Sequence, residues 1–191
     1  MRTLFYTLLL LPLSSFAQDN PDIYIEQIGN NNQISITQEY SGNTAEITLG
    51  KSNESDNNSL TIVQQSIGQQ IAQIDIPSGI NNSVSINQQG TGNMVATVQG
   101  LNGSANAIMI NQSGSSNNTF NLIATAGTVN NADVISVTQS GSAGADKSFT
   151  LNLNGSSGAT VTVEQTNPYT ANSGSMTIQC TVCGTYSYIR H

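Results

Sequence analysis

The chain has 191 residues, of which 40 are Asn or Gln and none is Trp; 8% are charged and the formal net charge is −7. Four Lys and Arg against eleven Asp and Glu cannot neutralise a phosphate backbone, which excludes nucleic-acid binding and docking on anionic membranes. Disorder, which so polar a composition would suggest, is opposed by the 37% of apolar residues, many of them β-branched and regularly placed.

The N-terminus reads as an export signal. Arg2 supplies a positive start, Leu4 to Leu13 a short apolar run, and Ser15-Phe16-Ala17 a small-x-small cleavage site. Residues 1–17 are thus a predicted signal peptide, and the mature chain is predicted to begin at Gln18. The apolar run is shorter than the roughly 20 residues a membrane-spanning helix needs, and no later segment qualifies. A short segment, 18–22, precedes predicted repeats over 23–180, and 181–191 reads as a C-terminal tail.

From Ile23 onward the pattern is strand, turn, strand. Ile23, Ile25 and Gln27 alternate, a Gly29-Asn30-Asn31 turn follows, and Asn32, Ile34, Ile36 and Gln38 alternate again. Further inward sets are Ala45/Ile47/Leu49, Leu60/Ile62/Gln64, Ile74/Ile76 and Val84/Ile86/Gln88. After a Gly90-Thr91-Gly92 turn the reading continues with Asn93/Val95/Thr97/Gln99, Ile108/Ile110/Gln112, Phe120/Leu122 and Ile135/Val137/Gln139. Phe149/Leu151/Leu153, Val161/Val163/Gln165 and Met176/Ile178/Cys180 complete about thirteen short strands. Tyr186, Tyr188 and Arg190 alternate as on a final strand, which could cap the stack, meet a partner or face solvent.

Every second strand ends in glutamine. Gln38, Gln64, Gln88, Gln112, Gln139 and Gln165 are separated by 26, 24, 24, 27 and 26 residues. Two strands per near-constant period mean one solenoid coil per period. The expected fold is therefore all-β, a β-solenoid of stacked strand-turn-strand repeats with about 6–7 coils of 22–27 residues. Coils about 4.8 Å apart would bring the six glutamines into one column, each amide bonding to the copies above and below. A single buried, unpaired amide would instead cost about 1–3 kcal/mol. The opposite column, Gln27, Leu49, Ile76, Gln99, Leu122, Leu153 and Cys180, reads as mainly apolar with a second, partial ladder at Gln27 and Gln99.

Gln88-x-Gly90-x-Gly92-Asn93-x-Val95-x-x-x-Gln99 resembles the curlin repeat of curli fibre subunits, Gln-x-Gly-x-Gly-Asn-x-Ala-x-x-x-Gln, with Val in the Ala position. Gln27-x-Gly29-x-x-Asn32-x-Ile34-x-x-x-Gln38 keeps the spacing without the second Gly, and Gln112-x-Gly114-x-x-Asn117 keeps the first half. The resemblance marks Gly29, Gly90, Gly92, Asn32 and Asn93 as turn positions. It implies a subunit secreted by a Gram-negative-type bacterium through an outer-membrane pore, assembling into cell-surface amyloid fibres for adhesion and biofilm matrix. A second curlin-type subunit is an implied partner. The loops at Ser52 to Asn58 and Pro168 to Ser175 exceed the compact family turn, and only Gln18 to Asp22 precede the first repeat, where the family carries a longer targeting segment.

Other chemistry finds little footing. Cys180 and Cys183, the only cysteines, read in an exported chain as a local disulfide or as thiols that link subunits. With His191 they make at most three of the four ligands zinc wants. A lone terminal His supports no Ser/His/Asp set, and the acids are dispersed, so no enzyme and no cofactor is expected. Open solenoid ends template further strands, and the low charge removes gatekeepers against growth. The expected function is a self-assembling, head-to-tail fibre subunit. The alternative is a monomeric secreted β-solenoid binding module, a surface adhesin or ice-binding protein. Ice binding would want a regular outward Thr array, whereas Thr160 and Thr162 suggest one such rung and other coils carry Ser85/Asn87 and Met109/Asn111.

Overall fold

The computed structural model describes residues 22–191 apart from 28, 41, 50–54, 66–67, 78 and 125–128. The signal segment and residues 18–21 lie outside the described residues. Fourteen strands follow in chain order: β1 (Asp22–Glu26), β2 (Gln33–Glu39), β3 (Asn43–Thr48), β4 (Ser59–Gln65), β5 (Gln70–Ile74), β6 (Ser83–Gly90) and β7 (Met94–Val98). Then come β8 (Ala107–Gly114), β9 (Asn118–Ala124), β10 (Val134–Gly141), β11 (Lys147–Leu153), β12 (Thr160–Gln165), β13 (Asn172–Ile178) and β14 (Thr185–Arg190). Among the described residues there is no helix, hence none long and apolar enough to cross a membrane.

The odd-numbered strands form one seven-stranded sheet and the even-numbered strands the other, every pairing parallel and to the strand two places along the chain. The chain therefore alternates between the sheets and climbs one strand spacing per circuit. This is a β-solenoid of about six turns. Its seven rungs each contain one strand of each sheet.

Alternation explains the core. In β4, Leu60, Ile62 and Gln64 point inward and are buried; Thr61, Val63 and Gln65 point outward. In-register pairing then repeats each residue type up the stack. Ile36, Ile62, Ile86, Ile110, Val137 and Val163 form one inward column. Ile47, Ile74, Val98, Leu122 and Leu151 face it from the other sheet. Each such side chain contributes about 1.5–3 kcal/mol when fully buried. A single rung could not cover its own apolar face, so burial is a property of the stack.

Three parts of the sequence reading need correction. First, β7 begins at Met94 and turns Met94, Ala96 and Val98 inward, with Val95 and Thr97 outward. A one-residue slip reverses every side chain. The segment Met94 to Val98 carries no charge to fix its phase, and pairing with β9, whose Phe120 and Leu122 are buried, decides it. Second, the solenoid does not stop at Cys180. Strand β14 pairs with β12 from Thr185 to Arg190, so most of the expected tail is the seventh rung. Third, Asn172 to Ser175 belong to β13 rather than to a loop.

The seventh rung is built differently from the others. Phe120 and Phe149 stack in adjacent rungs with centroids 6.4 Å apart. The next position of that column is Gly174. A Cβ there would collide with the Tyr188 ring, which crosses from the opposite sheet, lies 4.8 Å from Phe149 and donates its hydroxyl to Ser173 O at 2.8 Å. Glycine is required here so that an aromatic from β14 can fill the column.

The first six rungs each enter their even strand through a left-handed residue. Asn31, Asn57, Asn81, Ala105 and Ala132 have φ of 56°, 55°, 55°, 59° and 52°, and Gly158 has 74°. Asn tolerates this conformation, whereas Ala has no side-chain hydrogen bond to offset its cost. Ala105 and Ala132 are exposed, so a larger side chain meets no obstacle. Ala105→Asn is expected to stabilise the protein by about 0.5–1 kcal/mol and Asn81→Ala to destabilise it by a similar amount, read as opposite shifts of the urea midpoint.

Candidate functional site

The candidate site is the interior edge of the even-numbered sheet, where two amide columns run along the solenoid. Gln38 Nε2 donates to Gln64 Oε1 at 2.7 Å, Gln64 to Gln88 at 2.9 Å, and Gln88 to Gln112 at 2.8 Å. Gln112 donates to Gln139 and Gln139 to Gln165, both at 2.8 Å. All six glutamines named by the sequence thus form one continuous ladder. Gln64 to Gln165 are buried and Gln38, in the first rung, is half-buried.

The second amide proton ties the sheets together. Nε2 of Gln64, Gln88, Gln112, Gln139 and Gln165 also donates to the carbonyls of Thr44, Ile71, Val95, Thr119 and Ser148, at 3.0–3.2 Å. Those five carbonyls occupy one register position of the odd-numbered sheet. Gln64, Gln88, Gln112 and Gln139 therefore bond along the stack with one proton and across it with the other, whereas Gln165, at the end of the ladder, donates only across, to Ser148 O and Asn172 O. The ladder is both the polar content of the core and the fastening between its walls.

A second ladder exists, but not where it was expected. Gln27 and Gln99 are exposed, and Gln27 only reaches Gly29 O at 3.3 Å. They belong to β1 and β7 rungs, separated by the rungs of β3 and β5, so two amides there cannot meet at one strand spacing. The actual partner ladder is asparagine. Asn32 Oδ1 accepts from the backbone N and Nδ2 of Asn58, both at 3.0 Å. Asn58 Oδ1 accepts likewise from Asn82, and Asn82 Oδ1 from Asn106. Asn106 Oδ1 then accepts from Asp133 N, and Asp133 Oδ1 from Ala159 N at 2.8 Å. The free Nδ2 protons of Asn58, Asn82 and Asn106 go to the carbonyls of Gly79, Gly103 and Asn130.

Each member of this column stands six residues before a ladder glutamine, which period two places on the same inward face. That spacing was the available signal. Asn32 was read as a turn residue and is the first member of the column; Asn93, also read as a turn residue, is exposed. Gly29 and Gly90 sit at turns with φ of 123° and 145°, and a Cβ on Gly90 would strike Gly114 O in the next rung. Gly92 is likewise closed in by Ser116 O.

The columns end in substitutions. At the sixth rung the asparagine position is Ala159 and at the seventh Gly184, whose carbonyl accepts from Thr160 N at 3.0 Å. With no amide left, the corner is closed covalently by the Cys180–Cys183 disulfide. Ser157 N donates to Cys180 O and Cys183 N to Ser157 O, at 3.2 and 2.9 Å. Of the two readings of the cysteines, the local disulfide is the one present.

One cation is buried in the opposite wall. Lys147 stands in register with Asn118 and Asn172, and its ammonium donates to the backbone oxygens of Asn167 (2.8 Å) and Thr170. It holds the long turn before β13 in place. Burial lowers its pKa below the ordinary lysine range, and the charge of Asp146 opposes the shift. Among the described residues no group of three His, Cys, Asp or Glu could hold a metal ion. Comparison with protein-family models, with curated proteins and with solved structures finds no match.

The ladder sets a graded expectation for mutation. Gln112→Leu orphans a proton of Gln88 and the acceptor of Gln139, and should cost about 2–4 kcal/mol in urea denaturation. Gln165→Leu orphans only the Gln139 proton and should cost about half as much. Gln99→Leu should stay within about 0.5 kcal/mol of the wild type. Equal losses at all three positions would contradict the ladder.

Proposed function

We propose that the protein is the structural subunit of a curli-like extracellular fibre, exported from a Gram-negative-type bacterium and growing by stacking solenoids end to end. The observation that carries this reading is the first rung. Ile23 and Ile25 are in register with buried Ala45 and Ile47, yet they are 52% and 49% exposed. They face inward in a column whose next rung is missing, so a second solenoid end would bury them. The strand edges of β1 and β2 present unpaired backbone groups at the same place, and a parallel in-register stack can be extended by the pairing it already contains.

Three further features support it. Side-chain ladders at the strand spacing are the chemistry of cross-β fibres. The chain has few charges to interrupt strand addition. The curlin-like spacing at Gln88 to Gln99 and the signal-like N-terminus point to secretion and surface assembly; a secretion pore and a second curlin-type subunit would be its partners. Adhesion and biofilm matrix are the roles such a fibre would serve. The reading involves no catalysis and no cofactor.

Electron microscopy and fibre diffraction of the purified chain from residue 18 test the proposal. The expected result is unbranched fibres with a meridional reflection near 4.7–4.8 Å. A protein that remains monomeric at high concentration, without that reflection, would instead favour a monomeric binding module.

A further inference from the structure

The two ends of the solenoid are chemically complementary. In the glutamine ladder each Oε1 accepts from the glutamine of the preceding rung. Gln38 has no preceding rung. Its Oε1 is shielded from solvent and accepts from no donor, while its Nε2 is committed to Gln64. The opposite end carries the matching group. The residue in register with Gln165 on β14 is Arg190, not another glutamine. Arg190 is exposed, and its guanidinium lies 5.5 Å from the Tyr188 ring centroid. Guanidinium offers only donors, so it can satisfy a free acceptor but cannot itself accept.

Charge follows the same division. Among the described residues the exposed basic side chains are Arg190 and His191, both at the last rung, since Lys147 is buried. Thr166 N donates to Arg190 O at 3.0 Å, which sets His191 level with Thr166, one place beyond the glutamine column. The same place in the first rung is Glu39, exposed and accepting from Gln65 at 3.1 Å.

We infer that β14 of one copy pairs with β2 of a second copy in the parallel register the even-numbered sheet already uses, with Gln38 turning its shielded Oε1 toward the seam to accept from Arg190 and His191 beside Glu39. The inference rests on the self-assembly reading and specifies its partner, a second copy of this chain, and its polarity. In the same register β13 meets β1, so Met176 covers Ile25, and Tyr188, which fills the space over Gly174, covers Ile23. The contact is heterologous, last rung on first rung, and generates an open filament. Like ends cannot make this contact: last rung on last rung offers the guanidinium no Gln38 acceptor, and first rung on first rung leaves both Gln38 acceptors without the Arg190 donor.

Two variants of the mature chain test this in seeded elongation, followed by thioflavin fluorescence. In Arg190→Glu a carboxylate meets the Gln38 acceptor at every seam. In Gln38→Lys an ammonium meets Arg190 at every seam, while it can still donate to Gln64. Each variant alone should elongate at least about tenfold more slowly than wild type, because like groups are juxtaposed. An equimolar mixture should recover to within about threefold of wild type, as alternating copies pair carboxylate with ammonium at one seam and the native residues at the next. Arg190→Gln, which retains a donor in the column, should elongate like wild type. The seam is overturned if wild type elongates and either charge variant alone keeps pace with it, or if the mixture is no faster than its components. If wild type itself forms no fibre, the self-assembly reading falls, and the seam with it.

Discussion

A primary amide buried in an apolar core has two protons and two lone pairs to satisfy, and no aliphatic neighbour can satisfy them. The spacing between parallel strands offers one solution: the same amide at the same height in the rungs before and after. Everything regular in this protein follows from that requirement. The glutamine must recur at nearly constant spacing, because each amide depends on the next. The strands must pair in register, because a slip of one residue sends an amide outward and leaves its neighbours orphaned. The asparagine column imposes the same condition at the other end of β2, β4, β6 and β8, so each of these strands is pinned at both ends and carries aliphatic side chains between them.

The ladders run in opposite senses. Glutamine amides donate toward the later rungs, whereas asparagine amides donate toward the earlier ones. Both tolerate replacement only where the local donor and acceptor count allows it. Asp133 fits because it needs only to accept, from Ala159 N and the Ser156 hydroxyl, while its own backbone N–H continues the asparagine column. Beyond it the column is discontinued and a disulfide takes over the corner. The glutamine column keeps going one rung further, then changes to arginine. The last rung thus departs from the repeat at three places: Gly174, Arg190 and the Cys180–Cys183 loop.

How much of this could be read from the sequence depended on how strongly each residue constrains its own phase. In Leu60 to Gln64, a Thr and a Val separate Leu, Ile and Gln, and the repeated glutamine fixes which set is inside. The solenoid and its first ladder were therefore legible. The asparagine column was half legible: Asn32 was placed on the inward face, but asparagine is so common in turns that its constant offset from glutamine was hidden. In β7, where Met94 to Val98 are all uncharged and of middling size, either face could be inward, and only the neighbouring Phe120 and Leu122 settle the matter. Tyr188 and Lys147 were illegible for a different reason. Their partners, Gly174 with Ser173 and the carbonyls of Asn167 and Thr170, lie 14 to 23 residues away along the chain and are brought close only by the stacking itself.

The claim that adjacent amides satisfy one another is tested most directly by a double-mutant cycle at Gln88 and Gln112, measured by urea denaturation of the monomer. Gln88→Leu and Gln112→Leu each leave two orphaned groups, but the double variant also leaves only two, because the bond between the two positions disappears whole. The account predicts that the double variant is less destabilised than the sum of the singles by about 1 kcal/mol or more. Additivity within about 0.3–0.5 kcal/mol would show that the two amides do not depend on each other, and would contradict it.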